Sequence, residues 1–350
     1  MDRARVAYRR PIQMILVVAL ALWAFIGTAA VHSDVARSAT PAASPVASPV
    51  SGSDLERAVA YLEGQQAEDG GFPGFEGTSD PGLTTDAVIA LAAAREAGVD
   101  VAESIDAALA FLTEEGLAYA ETGAGQRAKL ILAVIAAGAD PTAFAGQDLV
   151  APLFETLPET GISGSGLYDR ALATLAAAAV GSDQAATLAE RFSSYQIADG
   201  SWAFDASTEP GSGDTNTTAL VVQALVAAGM GNSPAIANAL AYLGMAQAPG
   251  GGFAYQPADP LVPDANSTAL AIQALIAAGT DISGGAAGDA MQALAAFQNP
   301  SGGFRYTEEV PDDNLFATVQ AIPALAGWAL PILPDGATAT PVASPFSSAA

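Results

Sequence analysis

The chain is predicted to fold as an all-α toroid, an α6/α6 barrel of six outer and six inner helices, and three observations predict it. One turn signature recurs four times: QAEDGGF ending at Phe72, QIADGSW at Trp202, QAPGGGF at Phe253 and QNPSGGF at Phe304. The last three aromatics are 51 residues apart, and a fixed period in this range marks stacked supersecondary units. Around the turns, an amphipathic segment alternates with an Ala-rich segment that is apolar on every side. Six such inner segments end in glycine, at Gly98, Gly138, Gly181, Gly229, Gly279 and Gly327.

From the N-terminus, Arg3, Arg5, Arg9 and Arg10 precede an apolar run from Ile12 to about Val31. Roughly 20 such residues suffice to cross a bilayer. The preceding arginines would keep the start inside and leave the remainder outside. Residues 1–37 therefore read as a signal peptide or an N-terminal membrane anchor, and either places the rest of the chain outside the cytoplasm. Residues 38–53 (SATPAASPVASPVSGS) are rich in Pro, Ser and Ala and read as a disordered spacer. The closing ATATPVASPFSSAA resembles it, so residues 329–350 read as a disordered tail and residues 54–328 as the toroid.

Within the toroid, Leu55, Val59 and Leu62 fall at i, i+4, i+7, as do Ile236, Leu240 and Leu243. That spacing draws one apolar face on each outer helix. Inner segments such as TALVVQALVAAG (218–229) and TALAIQALIAAG (268–279) have no polar face and require protein on all sides. The terminal glycines fit the C′ position, where a left-handed backbone carries no Cβ clash. Units two and three keep the helix pair without the GGF-type turn, and Glu114–Glu115 reads as a solvated pair in a polar turn of unit two. Phe72, Trp202, Phe253 and Phe304 are expected to wedge between neighbouring helix pairs.

The Q-x3-G-[GS]-[FW] turns, followed by a D-x-x-[ST]-[ST]-A-L helix start, resemble the repeat of the terpenoid cyclase and protein prenyltransferase superfamily. The likeness spans residues 54 to 327 and implies the toroid. The same toroid serves cobalamin carriers and complement-type thioester domains, and fold alone does not confer activity. The zinc site of the prenyltransferases needs Cys and His ligands. This chain has no cysteine, and its single histidine, His32, precedes the fold. A thioester and Ser/His or Cys/His nucleophilic catalysis fall on the same inventory, and no metal or cofactor is expected. The class II cyclases protonate an alkene through a DxDD motif. The nearest match, Pro311-Asp312-Asp313 after Val310, lacks its first carboxylate and would make Asp312, beside Asp313, the general acid of a reduced cyclase.

The chain carries a formal charge of −25, and residues 51–330 hold 34 acidic against 7 basic side chains. Such a surface repels phosphate backbones and excludes nucleic acid as a partner. The polar groups left to consider stand at the inner-helix starts. Counting back from the terminal glycines selects Asp86, Gln126, Asp169, Thr217 and Ser267, then Asp214, Asp264 and Asp312. Each fits an N-cap, and six converging starts would also rim the mouth of the toroid. Asp86, Asp169, Asp214, Asp264 and Asp312 are thus expected as an acidic collar over an apolar pocket. Phe204, Tyr255 and Tyr306 would line the mouth, with Gln223, Gln273 and Gln320 midway down the inner helices. The sequence reads as a non-catalytic binding module for a small molecule or peptide, with a reduced cyclase or a purely structural surface domain as alternatives.

Overall fold

The computed structural model describes residues 52–156 and 166–334. The outer helices are α1 (Gly52–Glu63), α3 (Ala102–Glu121), α5 (Val150–Thr156), α7 (Gln184–Glu190), α9 (Pro234–Ala246) and α11 (Gly285–Ala296). The inner helices are α2 (Pro81–Glu96), α4 (Ala124–Ala136), α6 (Leu167–Ala179), α8 (Thr215–Ala227), α10 (Ala265–Ala277) and α12 (Leu315–Leu325). Each inner helix packs on the next, and α12 packs on α2, so the ring is closed. The inner alanines are what permit this. Ala87, Ala90, Ala133, Ala173, Ala224 and Ala274 are completely buried, and small side chains let six helices surround one axis. On the outer helices, Leu55, Val59, Leu62, Ile236 and Leu243 are buried as their spacing predicts.

The six terminal glycines all take positive φ, between 68° and 93°. The following N–H returns to the inner helix in every unit, as from Val99 to Ala94 and from Trp328 to Pro323, which is the Schellman closure.

The turn signature has a defined job. Gln66, Gln196, Gln247 and Gln298 each donate Nε2 to the carbonyl of their own turn's glycine (Gly70, Gly200, Gly251, Gly302). Each also donates to a carbonyl at the start of the next outer helix: Ser104, Ala235, Ala286 and Asp54. The last of these joins unit six to unit one. The aromatic at the end of each turn donates its N–H to a threonine one turn into its inner helix: Thr84, Thr218, Thr268 or Thr318. Phe72, Trp202, Phe253 and Phe304 are buried there, as expected. Two short strands, β1 (Phe304–Arg305) and β2 (Asp313–Asn314), pair antiparallel and close the sixth turn.

The boundaries differ from the sequence reading in three places. The helix α1 begins at Gly52, inside the stretch read as spacer. Glu114 and Glu115 lie within α3, a 20-residue helix, and not in a turn. Residues 329–334, read as tail, pack on the toroid: Ile332 is buried, and the Leu330 N–H donates to Gln223 Oε1 at 2.9 Å. Leu330, which lines the axial cavity, and the buried Ile332 hold it down. No helix among the described residues is long and apolar enough to cross a membrane, and the expected leader at 1–37 lies outside them.

Gly302 sits at φ 96°, where a Cβ would be driven into the Arg57 carbonyl of the first outer helix. Gly229, at φ 78°, faces open space. Gly302→Ala is therefore expected to cost about 3 kcal/mol or more and Gly229→Ala about 1 kcal/mol. Denaturant unfolding of the two variants measures the difference; equal losses would mean that the ring does not close through this contact.

Candidate functional site

The mouth of the toroid is the end at which the six inner helices begin. Four starts carry the same cap: the side chains of Asp80, Asp214, Asp264 and Asn314 accept from the backbone N–H of Leu83, Thr217, Ser267 and Ala317. Asp214 and Asp264 are thus caps, as expected, and Ser267 Oγ adds a second bond to Asp264 at 2.7 Å. Both carboxylates are buried. Burial pushes each up to about 6, while the capping N–H groups pull the other way. Asp169 is also buried and folds over Gly125, leaving no room there for a Cβ. The expected open collar of carboxylates is therefore corrected. Asp214 and Asp264 turn inward to backbone, because an unpaired helix start buried in protein draws the nearest acceptor.

Asp312 is corrected outright. The sixth helix is shorter than its neighbours, and its cap is Asn314, which leaves Asp312 exposed on the preceding loop. Asp313 is exposed too, and Oδ1 accepts from Asn299 Nδ2 and Ser301 Oγ, both at 2.8 Å, tying the sixth turn. Neither carboxyl faces the axis, so the geometry required of a DxDD-type acid is not met. Counting from the terminal glycines misses Asp80 and Asn314. Thr84, Thr218, Thr268 and Thr318 each stand four residues after a cap, and counting from them gives the set directly.

The second aromatics stand on the loops that lead to the inner helices, Phe204 and Tyr255 exposed and Tyr306 half-buried. The Phe204, Tyr255 and Tyr306 carbonyls accept from the first N–H of the preceding unit's inner helix, at Leu167, Thr215 and Ala265. Each loop is thereby laid over its neighbour's helix start. The Phe204 ring stands 6.0 Å from that of Tyr168. The Tyr306 phenol is raised to about 12 by burial and by Asp264, and Tyr255 is raised by burial and by Asp214.

On the axis lies a cavity of about 60 Å³, lined by residues of all six inner helices and by Leu330. Ile89, Lys129, Leu172, Leu220 and Leu270 line it, each nine residues before its terminal glycine. Lys129, the chain's only lysine, thus takes a hydrophobe's place in a single layer. Its Nζ lies 2.8 Å from Asp86 Oδ2, and 22% of each side chain stays accessible. Burial alone would lower the Lys129 ammonium, but Asp86 and the phenols of Tyr119 and Tyr168 outweigh it and hold the lysine protonated. Tyr168 itself is raised to about 12 by burial. Asp86 is therefore the counter-charge of an axial ion pair, not a member of a rim, and the pocket floor is not purely apolar. The signal for Lys129 was in the sequence: the chain's only lysine stands in the middle of an inner segment that is apolar from Leu130 onward.

Gln273 and Gln320 line this cavity, with Gln273 Nε2 donating to the Gln320 carbonyl and Gln320 Oε1 accepting from Asn266. Gln223 does not line it; it is fully buried and holds Leu330. Asn216, one turn before Leu220 and so on the same helix face, has a buried Oδ1 with no hydrogen-bond partner. A larger groove of about 340 Å³ lies on the outer wall between Asp69, Phe111, Glu114 and Glu115. Asp69 is committed to the Gly71 N–H and Ser79 Oγ. Among the described residues, no group of His, Cys, Asp or Glu is placed to hold a metal ion.

No protein-family model and no curated protein matches the chain. Solved structures do. The type II terpene cyclase MstE from Scytonema, with geranylgeranyl dihydroxybenzoate bound, aligns over 79% of this chain and 96% of its own, at 20% identity and TM-score 0.56. The GH76A α-1,6-mannanase of Salegentibacter sp. HEL1_6 aligns over 79% and 98%, at 10% identity and TM-score 0.60. A protein from Actinoplanes aligns over 79% and 98%, at 17% identity and TM-score 0.53. The likeness shows the fold, an α/α toroid.

The two buried caps set a pH dependence. Their folded-state values lie above the carboxylate's unfolded value of about 4, so the native state takes up protons. Their stabilisation is fully present below about pH 4 and is lost as the pH rises through 6, on the order of 2–3 kcal/mol each. Asparagine caps as well as aspartate. The Asp214→Asn/Asp264→Asn variant should therefore show a shallower fall of unfolding free energy between pH 5 and 7 than the parent. An unchanged slope would place the ionisation elsewhere.

Proposed function

We propose that the chain is a non-catalytic binding toroid held outside the cytoplasm, joined to a membrane or secreted through the segment before residue 38. The site is the axial mouth, and the ligand is a small molecule carrying both a hydrogen-bond donor and an acceptor. One observation carries this: a charged pair with unused bonding capacity in a layer that is otherwise Ile and Leu. An ammonium has three donors, and Lys129 gives one to Asp86. The rest of the pair, with the Asn216 acceptor one layer above on α8, faces the axis. Burying charge costs free energy that a ring serving only as scaffold would avoid with leucine. The cavity below admits only a terminal group of a ligand, whose body would rest against Phe204, Tyr255 and Tyr306. The solved structures of this fold with geranylgeranyl dihydroxybenzoate or mannotriose bound support a toroid as a ligand site.

A second reading, a structural surface domain, is favoured by the cavity's volume of about 60 Å³, well below the roughly 300 Å³ of ordinary ligand sites. Native mass spectrometry of the full chain from its own host separates the two. The expected result is a retained small molecule on the parent and none on Asp86→Leu/Lys129→Met. Removing both partners of a buried pair is commonly neutral or stabilising, so that variant should melt no lower than the parent. No adduct on either protein would leave the scaffold reading standing.

A further inference from the structure

We propose that the mouth face docks a basic, amphipathic segment of a partner protein. The exposed large apolar side chains among the described residues are Phe75, Phe204, Tyr255, Val262, Val310 and Met245. The first five stand on the four loops 73–80, 203–214, 254–264 and 305–314, each of which ends at the start of an inner helix. Met245 lies in the last turn of α9, at the same end. The opposite end, where the terminal glycines stand, carries none of them. Phe75 is 93% exposed, and nothing in its own turn requires a phenylalanine in water. Apolar side chains gathered on one face, rather than scattered singly, mark an interaction surface.

Charge selects the occupant. The same four loops expose two, two, one and four carboxylates in chain order. Their single basic residue is Arg305, whose guanidinium lies 5.5 Å from the centre of the Phe297 ring. The positive ends of α2, α8 and α10 are already answered by Asp80, Asp214 and Asp264. An anionic partner or an anionic bilayer meets repulsion here, and a second copy of the chain would set carboxylates against carboxylates. Aliphatic Val262 and Val310 offer no hydrogen bonds to a sugar, whereas leucine or phenylalanine side chains match them and lysines match the acids. An amphipathic helix with apolar anchors and a basic face satisfies both.

The test uses the full chain and a fluorescently labelled synthetic helix of Lys and Leu, followed by anisotropy at about 0.15 M salt, where long-range attraction is largely screened. The expected result is saturable binding. It should weaken about tenfold in Phe75→Ser/Val310→Ser and again in Val262→Ser, as for apolar contacts at an interface centre. These side chains are exposed, so the fold is retained. A scrambled peptide without an apolar face and a Glu/Leu peptide should bind at least tenfold more weakly. This docking does not rest on the axial ligand, so Asp86→Leu/Lys129→Met should bind the helix as the parent does. Equal affinity of the parent and the serine variants would mean bulk charge alone and would overturn the proposal. So would loss of binding in the axial variant, preference for neutral phosphatidylcholine vesicles or an uncharged glycan, or dimerisation of the parent through this face.

Discussion

A single amide in each signature turn ties the toroid together. The glutamine side chain has two N–H donors and spends both on backbone carbonyls, one in its own turn and one at the start of the following outer helix. The turn's own conformation and the docking of the next unit are therefore fixed by the same group. Helices alone would stack into an open solenoid as readily as a ring. At Gln298 the second carbonyl belongs to Asp54, so the sixth turn is bonded to the first helix. The turn glycine allows this approach because it lacks a Cβ, and the aromatic after it fills the wedge that the approach creates.

Closure has consequences for charge. A ring of six alanine-rich helices leaves a narrow axis with little water, where an isolated ammonium would not survive as a charge. Lys129 is retained as a cation because Asp86 stands against it from the neighbouring α2, and because two phenols lie close by. The acids at the helix starts face the opposite problem. They are drawn down onto free N–H groups, and their burial makes them weak acids without making them accessible ones. Carboxylates that remain in water are those of the loops, which is why the outer mouth is acidic while the axis is electrically balanced.

The two ends of the toroid are consequently unlike. At one, Schellman closures on glycine and the returning segment 328–334 seal the helix ends with short, tight backbone. At the other, loops of varied length run from each aromatic to the next cap and carry nearly all the variation between units. The mouth is where the repeat is least regular, and irregular loops on a rigid scaffold are where binding residues are most often carried.

Much of this could be read from the chain itself. The period of 51, the alternation of one-sided and all-round apolar segments and the six glycines specify helix pairs, their number and their direction. They do so because periodicity and φ > 0 are local properties of residues. The caps at Asp214 and Asp264 and the positions of Phe204, Tyr255 and Tyr306 come from the same repeat. What only the tertiary structure decided was which polar groups meet. Asp86 and Lys129 lie 43 residues apart on different helices, Asp312 drops out because one helix is two residues shorter than its neighbour, and Leu330 returns to the axis from beyond the last repeat. Pairing, burial and cavity volume depend on how helices turn their faces around a common axis, and no window of sequence contains that rotation.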